Sequence, residues 1–355
     1  MLKPVTVLLT GCGAPGAPSI IECLRKNGER EIRIVSVDMN ENAASRRSVD
    51  AFYTVPQAED PGFIDRVLEI CQKEGVRVVV PIVTRELEVF SGAKSRFEEI
   101  GVKVAVAEPG PLHIANNKGL LLTAMKEAGL PTPEFRIAST ADQVLDAIGA
   151  LGYPDKPVVV KPTFGNGSRG TRVLDRTVSR SELFFKNKPN SMYISLSELT
   201  EVLREAKAIP QMMVMEYLPG TDYSVDILAE NGETLMCACR RGLSVVSSIF
   251  ASSIVDWNEE AVQLSKAVTR LLKLDGNLGF DTKMDAAGRP QVMEINPRLP
   301  AGIPVTVVAG MNLPYFRIKQ LLGEPLPSCG LREGVSMQLR NQAIFFGPNG
   351  NAIVW

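Results

Sequence analysis

Gln291-Val-Met-Glu-Ile-Asn-Pro-Arg298 decides how this chain is read. A strand alternates its side chains, so Val292, Glu294 and Asn296 are expected on one face and Met293 and Ile295 on the other. Pro297 cannot extend a central ladder and marks the strand end. Glu294 and Asn296 then offer two oxygens roughly 6–7 Å apart along the strand, with Arg298 just beyond. Hard oxygens on one face suit Mg²⁺ completed by substrate phosphates. An arginine beside them suits a phosphate oxygen. A polar, exposed strand end is the plainer alternative, and the rest of the chain decides between the two.

Immediately upstream, Leu278–Met284 and Pro290–Ile295 form a hairpin around Asp285-Ala-Ala-Gly288. It brings Asp281 near Glu294 in a register that sequence leaves open. Two carboxylates facing each other repel, and a divalent ion with phosphates relieves this. Asp281, Glu294 and Asn296 therefore form one candidate metal cluster. Further upstream, Asp222–Leu228 and Thr234–Arg240 pair about an Asn-Gly turn, which leaves Arg240 and Arg241 at a strand end. Asn258–Lys273 is an amphipathic helix. The 300–304 loop and a helix over Pro314–Leu322 follow. Two short strands and a Gly-Pro-Asn-Gly turn in 326–355 are expected only to pack.

The middle of the chain carries cations and glycines. Asn116-Asn117-Lys118 opens a helix to about Ala128 with an Asn N-cap. A lysine there opposes the helix dipole, which hints at a task beyond solvation. Pro157–Pro162 is a strand ending at Lys161, followed by Gly165-Asn-Gly-Ser-Arg-Gly170 and a strand Thr171–Leu174. Such a flap lets backbone N–H groups converge on an anion and can close to exclude water. It is not a Walker loop, because no Gly-Lys-Ser/Thr opens a helix. Helices near Ser179–Lys188 and Leu196–Ala208 complete a small lid. Met212–Gly220 is a strand able to show backbone and Glu216 to a purine edge, with Met213 and Met215 as apolar walls or as core.

The first third reads as alternating β and α segments, hence a parallel sheet covered on both faces. Strand Val5–Thr10 runs into Gly11-Cys-Gly-Ala-Pro-Gly16, and strand Ile32–Val37 ends at Asp38. This is a dinucleotide fingerprint in its proper context, so an NAD(P)-dependent oxidoreductase using Gly11–Gly16 and Asp38 stands as an alternative. A helix over Phe63–Lys73, a strand over Val76–Val80, one helix over Glu86–Ile100 and a strand over Val102–Val106 follow. The strand ends also carry Pro81–Glu86; Gly13, Thr84, Glu86, Arg240, Arg241, Arg298 and the 300–304 loop are the candidate substrate contacts. Whether Cys12 touches substrate stays open.

Composition limits the classes. The 355 residues, 45% hydrophobic and 22% charged, suffice for two or three globular domains. A net charge of −1 without a basic run argues against nucleic acid. Six cysteines without a CxxC pair, and a single histidine, argue against zinc and for reduced thiols in a cytoplasmic protein. No apolar run is long enough to span a membrane.

The ordered set Lys118, Val159-Val-Lys161-Pro, Gly165–Gly170, Glu216–Gly220, Asp222–Asp226, Asp281 and Glu294–Arg298 resembles the ATP-grasp superfamily. It looks most like its single-module, carbamoyl-phosphate-synthase-large-chain-like and amino-acid ligase branch. The resemblance implies a Rossmann-like pre-domain over 1–112, an ATP-grasp domain over 113–325 with its lid at about 150–218, and packing strands over 326–355. It implies ATP with Mg²⁺ or Mn²⁺, small-molecule carboxylate and amine substrates, and a homodimer as a common state. Lys118 and Lys161 would contact phosphates, with Gly165, Gly167, Ser168, Arg169 and Gly170 covering them. Glu216, Tyr217 and Leu218 would bind adenine and Asp222 the ribose, although the family more often has Glu there. Asp281, Glu294 and Asn296 would bind metal, and Arg298, Lys161 and Arg240 would serve catalysis. The implied reaction is carboxylate–amine ligation through an acyl phosphate. Carbamoyl-phosphate-type carboxyphosphate chemistry is the alternative, disfavoured because that chain carries two such modules.

Overall fold

The computed structural model describes residues 2–165, 167–186, 192–246, 249–340, 345–347 and 352–353. The first region comprises β1 (Val5–Thr10), α1 (Ala17–Arg25), β2 (Ile32–Asp38), β3 (Ala51–Thr54), α2 (Phe63–Glu74), β4 (Val78–Val80), α3 (Thr84–Gly92), α4 (Lys94–Glu99), β5 (Lys103–Val104) and α5 (Pro109–Asn116). Its strands are all parallel, in the order β3-β2-β1-β4-β5. The order reverses beside β1, so the crevice between the carboxyl ends of β1 and β4 is where such a sheet receives a ligand. In α1, Ala17, Ile20, Ile21 and Leu24 are buried at helical spacing. The single helix expected over Glu86–Ile100 is two: Gly92 and Ala93 break it, and the turn brings the buried rings of Phe90 and Phe97 to 5.7 Å.

The second region runs through α6 (Lys118–Glu127), β6 (Phe135–Ala138), α7 (Ala141–Ala150), β7 (Val158–Pro162), β8 (Arg172–Leu174), α8 (Arg180–Lys186), α9 (Leu196–Glu205) and β9 (Met212–Glu216). Its strands lie in the order β6-β9-β7-β8 and are antiparallel. Asn117 caps α6 as expected, its side-chain oxygen accepting from the amides of Gly119 and Leu120. Residues 187 and 188 of the expected Ser179–Lys188 helix lie outside the described residues.

The third region has β10 (Asp222–Glu230), β11 (Glu233–Val246), β12 (Ile249–Val255), α10 (Glu259–Leu271), β13 (Gly276–Met284), β14 (Pro290–Asn296), α11 (Pro304–Val308), α12 (Leu313–Leu321) and β15 (Ser336–Gln338). A sheet in the order β14-β13-β10-β11-β12-β15 results, with β16 (Phe345–Phe346) and β17 (Ala352–Ile353) paired separately. Asn231 and Gly232 both take positive φ in the β10–β11 turn, as an Asn-Gly hairpin requires. β11 extends past the expected end at Arg240, so Arg240 lies inside a strand. β12 was not anticipated, because its Ser-rich run shows little alternation. The expected Gly-Pro-Asn-Gly turn lies largely outside the described residues.

Two cores meet behind the site. Val225 and Ile227 face α10, Phe280 and Met215 in one cluster. Leu228 and Ala238 face the opposite way and share a cluster with Val7, Ile20, Tyr315 and Ile303. Strand alternation thus welds the parallel sheet to α11, α12 and the large antiparallel sheet. All six cysteines are free, and no helix among the described residues is long and apolar enough to cross a membrane.

Candidate active site

The register left open by sequence places four polar residues in one row across the large sheet. Glu294 pairs with Asp281, Asp281 with Ser224, and Ser224 with Arg240. A bulge in β14 corrects one expectation. The register shifts between Asp281 and Thr282, so Thr282 pairs with Val292 and Met293 is the extra residue. Val292 therefore turns into the core with Ile295, away from Glu294 and Asn296. The Met293 carbonyl is exposed to the cleft, where Lys161 Nζ donates to it at 3.4 Å.

Asp281 accepts from Asn296 Nδ2 at 3.0 Å, and Asn296 Oδ1 accepts from Arg298 Nη2 at 2.9 Å. Burial, and then the neighbouring Glu294, push Asp281 up to about 7. Burial pushes Glu294 the same way, but Lys118 and Lys161 outweigh it and hold that carboxyl below its ordinary range. Among the described residues no cluster of three or more His, Cys, Asp or Glu gathers. The donor set is two carboxylates paired across β13 and β14 and an amide beside them. That set fits a hard cation that brings phosphates with it and does not fit zinc.

The lysines arrive from the second region. Lys118, on the first turn of α6, lies 3.0 Å from Glu294 Oε2 and donates to the Gly165 carbonyl at 2.7 Å. Burial draws the Lys161 ammonium down to about 8, with Glu294 opposing and Lys118 adding to the effect. The flap above them has the expected backbone: Gly165, Gly167, Ser168 and Gly170 all take positive φ. A Cβ on Gly170 would sit 2.8 Å from Pro162 Cγ, so only glycine lets the loop return to its strand. Asn166 lies outside the described residues.

On the other side of the row is the crevice of the parallel sheet. Arg298 Nε donates to Thr84 Oγ1 at 3.4 Å, joining the end of β14 to the mouth of β4. Glu86 accepts from Thr10 Oγ1, and burial pushes it up to about 7, the hydroxyl opposing and Asp38 adding. Asp38, the acid a dinucleotide reading assigns to a ribose, instead accepts the amides of Gly13 at 2.7 Å and Asn40 at 2.8 Å. It shapes its own loop. Gly16 abuts the 300–304 loop, where an added Cβ would come within 3.2 Å of Ala301 Cα.

Arg240 is buried, not placed at a strand end. Its Nε donates to Asp226 and its Nη2 to Ser224, each at 2.8 Å, and the guanidinium lies 5.3 Å from the Phe250 ring centre. A Cβ on Gly302 would fall 2.5 Å from Arg240 Nη1, and the two bonds prevent the guanidinium from retreating. Gly302→Ala is therefore expected to cost about 1–3 kcal/mol of overpacking strain, read as a lower urea midpoint. An unchanged midpoint would show that the loop has room to move. Arg241, one residue on, faces the opposite side and pairs with Asp256, which separates it from the row.

Sequence-predicted adenine and ribose contacts are partly engaged by protein. Glu216 Oε1 accepts the Glu134 amide at 2.8 Å, and the Tyr217 amide donates to Pro157. Leu218 is buried beside Met213 and Met215, which are core residues. Asp222 is gripped by Lys283 Nζ at 2.9 and 3.0 Å. Lys283, Asp226 and Thr84's bond to Arg298 were not read from sequence. For Lys283 the signal was its place opposite Asp222, and for Asp226 the face it shares with Ser224, which pairs with Arg240; both are usable only once register is known, and the Thr84 bond, made from the start of α3, had no such signal.

Two family models match the chain: "PylC-like, N-terminal domain" over residues 7–105 and "ATP-grasp in the biosynthetic pathway with Ter operon" over 208–343. A formate-dependent phosphoribosylglycinamide formyltransferase from Wolinella succinogenes is 25% identical over 236 residues, 66% of this chain. The chain spans 53% of that relative's length. The protein of the same name from a Synechococcus species is 24% identical over 336 residues, 92% of this chain and 77% of its own. The ADP complex of N5-carboxyaminoimidazole ribonucleotide synthetase superposes with a TM-score of 0.68 at 20% identity, covering 93% of this chain and 80% of the other. Residues 208–343 are thus similar to an ATP-grasp family, and the chain shares its fold with the synthetase.

Proposed function

We propose that the chain is an ATP-dependent carboxylate–amine ligase acting on small molecules. One observation carries the reading: Lys118 from α6, Lys161 from β7, Asp281 from β13, Glu294 from β14 and Arg298 just beyond it gather at the paired ends of β13 and β14. The relatives' names, a formate-dependent formyltransferase and a carboxyaminoimidazole ribonucleotide synthetase, support it.

In this reading the nucleotide lies between the flap and the large sheet. Lys118 and Lys161 hold its phosphates, the 165–170 loop covers them, and the Met212–Leu218 segment with Asp222 meets the nucleoside. A divalent cation, held by Asp281, Glu294 and Asn296, supplies charge neutralisation to the phosphates. A carboxylate attacks the γ-phosphorus, and ADP leaves. An amine then adds to the acyl carbon of the acyl phosphate, losing a proton, and phosphate departs. Arg298, reaching toward Thr84, neutralises the phosphoryl group or the carboxylate at the crevice between β1 and β4. Positioning and charge stabilisation suffice for this chemistry, which accords with a chain that has a single histidine. The Gly11–Gly16 loop and Glu86 lie on the substrate side. We take 1–112, 113–325 and 326–355 as the working domain bounds.

The test is ADP release with pooled carboxylates and amines in the presence of Mg²⁺, followed by mass spectrometry of the product. Substrate-dependent ADP and a condensed product are expected. Failure of every pool, or tight NADH binding without ATP binding, overturns the reading.

A further inference from the structure

Lys118 holds a position that its own helix does not favour. It is the first residue of α6, where the dipole repels a cation, and its side chain is largely buried. What stabilises its charge is across the cleft: Glu294 Oε2 at 3.0 Å and the Gly165 carbonyl at 2.7 Å. Glu294 is one of the two carboxylates that the β13–β14 register sets side by side. The ammonium thus stands against one of the two carboxylates proposed to hold the cation, and the same ammonium grips the first glycine of the flap. Lys161, by contrast, donates to a backbone carbonyl, that of Met293.

We propose that Lys118 is the resident counter-cation of the ligand-free metal seat, so that a divalent ion enters the carboxylate pair only together with a nucleotide. This rests on the function proposed above. A metal ion approaching alone meets a fixed positive charge at Glu294, and like charges at that separation in a partly dry cleft repel strongly. A nucleotide phosphate draws the ammonium off Glu294. One movement then frees the carboxylate for the metal. Metal and nucleotide binding become positively coupled, and by linkage the coupling is reciprocal.

The probe is Mn²⁺, titrated into the full, nucleotide-free chain and followed by the loss of the free-ion electron paramagnetic resonance signal. A non-hydrolysable ATP analogue provides the second ligand. Wild type is expected to bind Mn²⁺ alone weakly and at least tenfold more tightly with the analogue. Lys118→Met should bind Mn²⁺ alone at least tenfold more tightly than wild type, with the benefit from analogue reduced. Lys118→Arg, which keeps the charge, should retain weak Mn²⁺ binding. The gain should vanish in Lys118→Met combined with Glu294→Gln, which shows that the ion sits on this carboxylate. Unchanged or weaker Mn²⁺ binding by folded Lys118→Met, while wild type still binds the analogue, overturns this proposal alone. Absence of analogue binding to wild type overturns the ligase reading with it.

Discussion

Lys161→Met is expected to lower Mg²⁺-dependent ADP formation by about 10²–10³-fold or more, the scale for deleting one preorganised charge contact in a water-poor site. The side chain is buried at the end of β7 and is aimed across the cleft at the bulged strand. Replacing it with a neutral chain of similar length keeps the packing and removes the cation. The far-ultraviolet spectrum should therefore be unchanged while turnover is lost. Because burial draws this lysine down to about 8, nucleotide affinity in wild type should also weaken as pH rises through that value, where the ammonium is given up. Stability carries the opposite signature. Between about 8 and the unfolded chain's 10.5 the unfolded state binds more protons, so wild-type stability rises with pH there. The methionine variant should lack that rise. A variant that keeps its turnover would remove Lys161 from the phosphate site.

Asp281→Asn is expected to abolish metal-dependent turnover and to stabilise the ligand-free protein above neutrality. Asp281 is pressed between burial and Glu294, and it titrates near 7 in the fold against 3.8 in the unfolded chain. Over that window the native state binds more protons, so this residue's contribution to stability falls as pH rises from about 4 to 7. Above pH 7 the charged carboxylate is a standing cost. The amide removes the charge and keeps the shape. A gain on the order of 1–3 kcal/mol at pH 8 follows from a shift of this size once coupling to Glu294 is allowed for. At pH 4 the two proteins should melt together. Thermal melts at the two pH values, with and without Mg²⁺, make the measurement. Equal melting of the two proteins at pH 8 would show that the carboxylate pair is not under electrostatic strain. A site that sacrifices stability for charge placement is what a catalytic cation requires.

Much of the architecture was legible without coordinates, for definite reasons. Local signals do not depend on partners. The N-cap at Asn117, the Asn-Gly turn and the positive-φ glycines of the flap are decided within a few residues, and each was found where the chain announced it. The order of lysine, glycine loop, lysine-ended strand and Glu-Ile-Asn-Pro-Arg segment likewise pointed to one superfamily. Weak local signals failed. Gly92 did not show as a helix break, and the Ser-rich β12 did not show as a strand, because its stability comes from β11 and β15 on either side.

Sequence alone therefore determined most of the order of elements and the residue types available for the chemistry. Only the tertiary structure decided which of those residues meet. It aligned Glu294, Asp281, Ser224 and Arg240 in one row. It turned Val292 away by a bulge, buried Arg240 on Asp226, and spent Asp38 on the Gly13 amide. The physical reason is that strand side chains alternate with a period of two. A one-residue change in register or a single bulge exchanges core and cleft, and register is set by long-range pairing that no local stretch of sequence encodes.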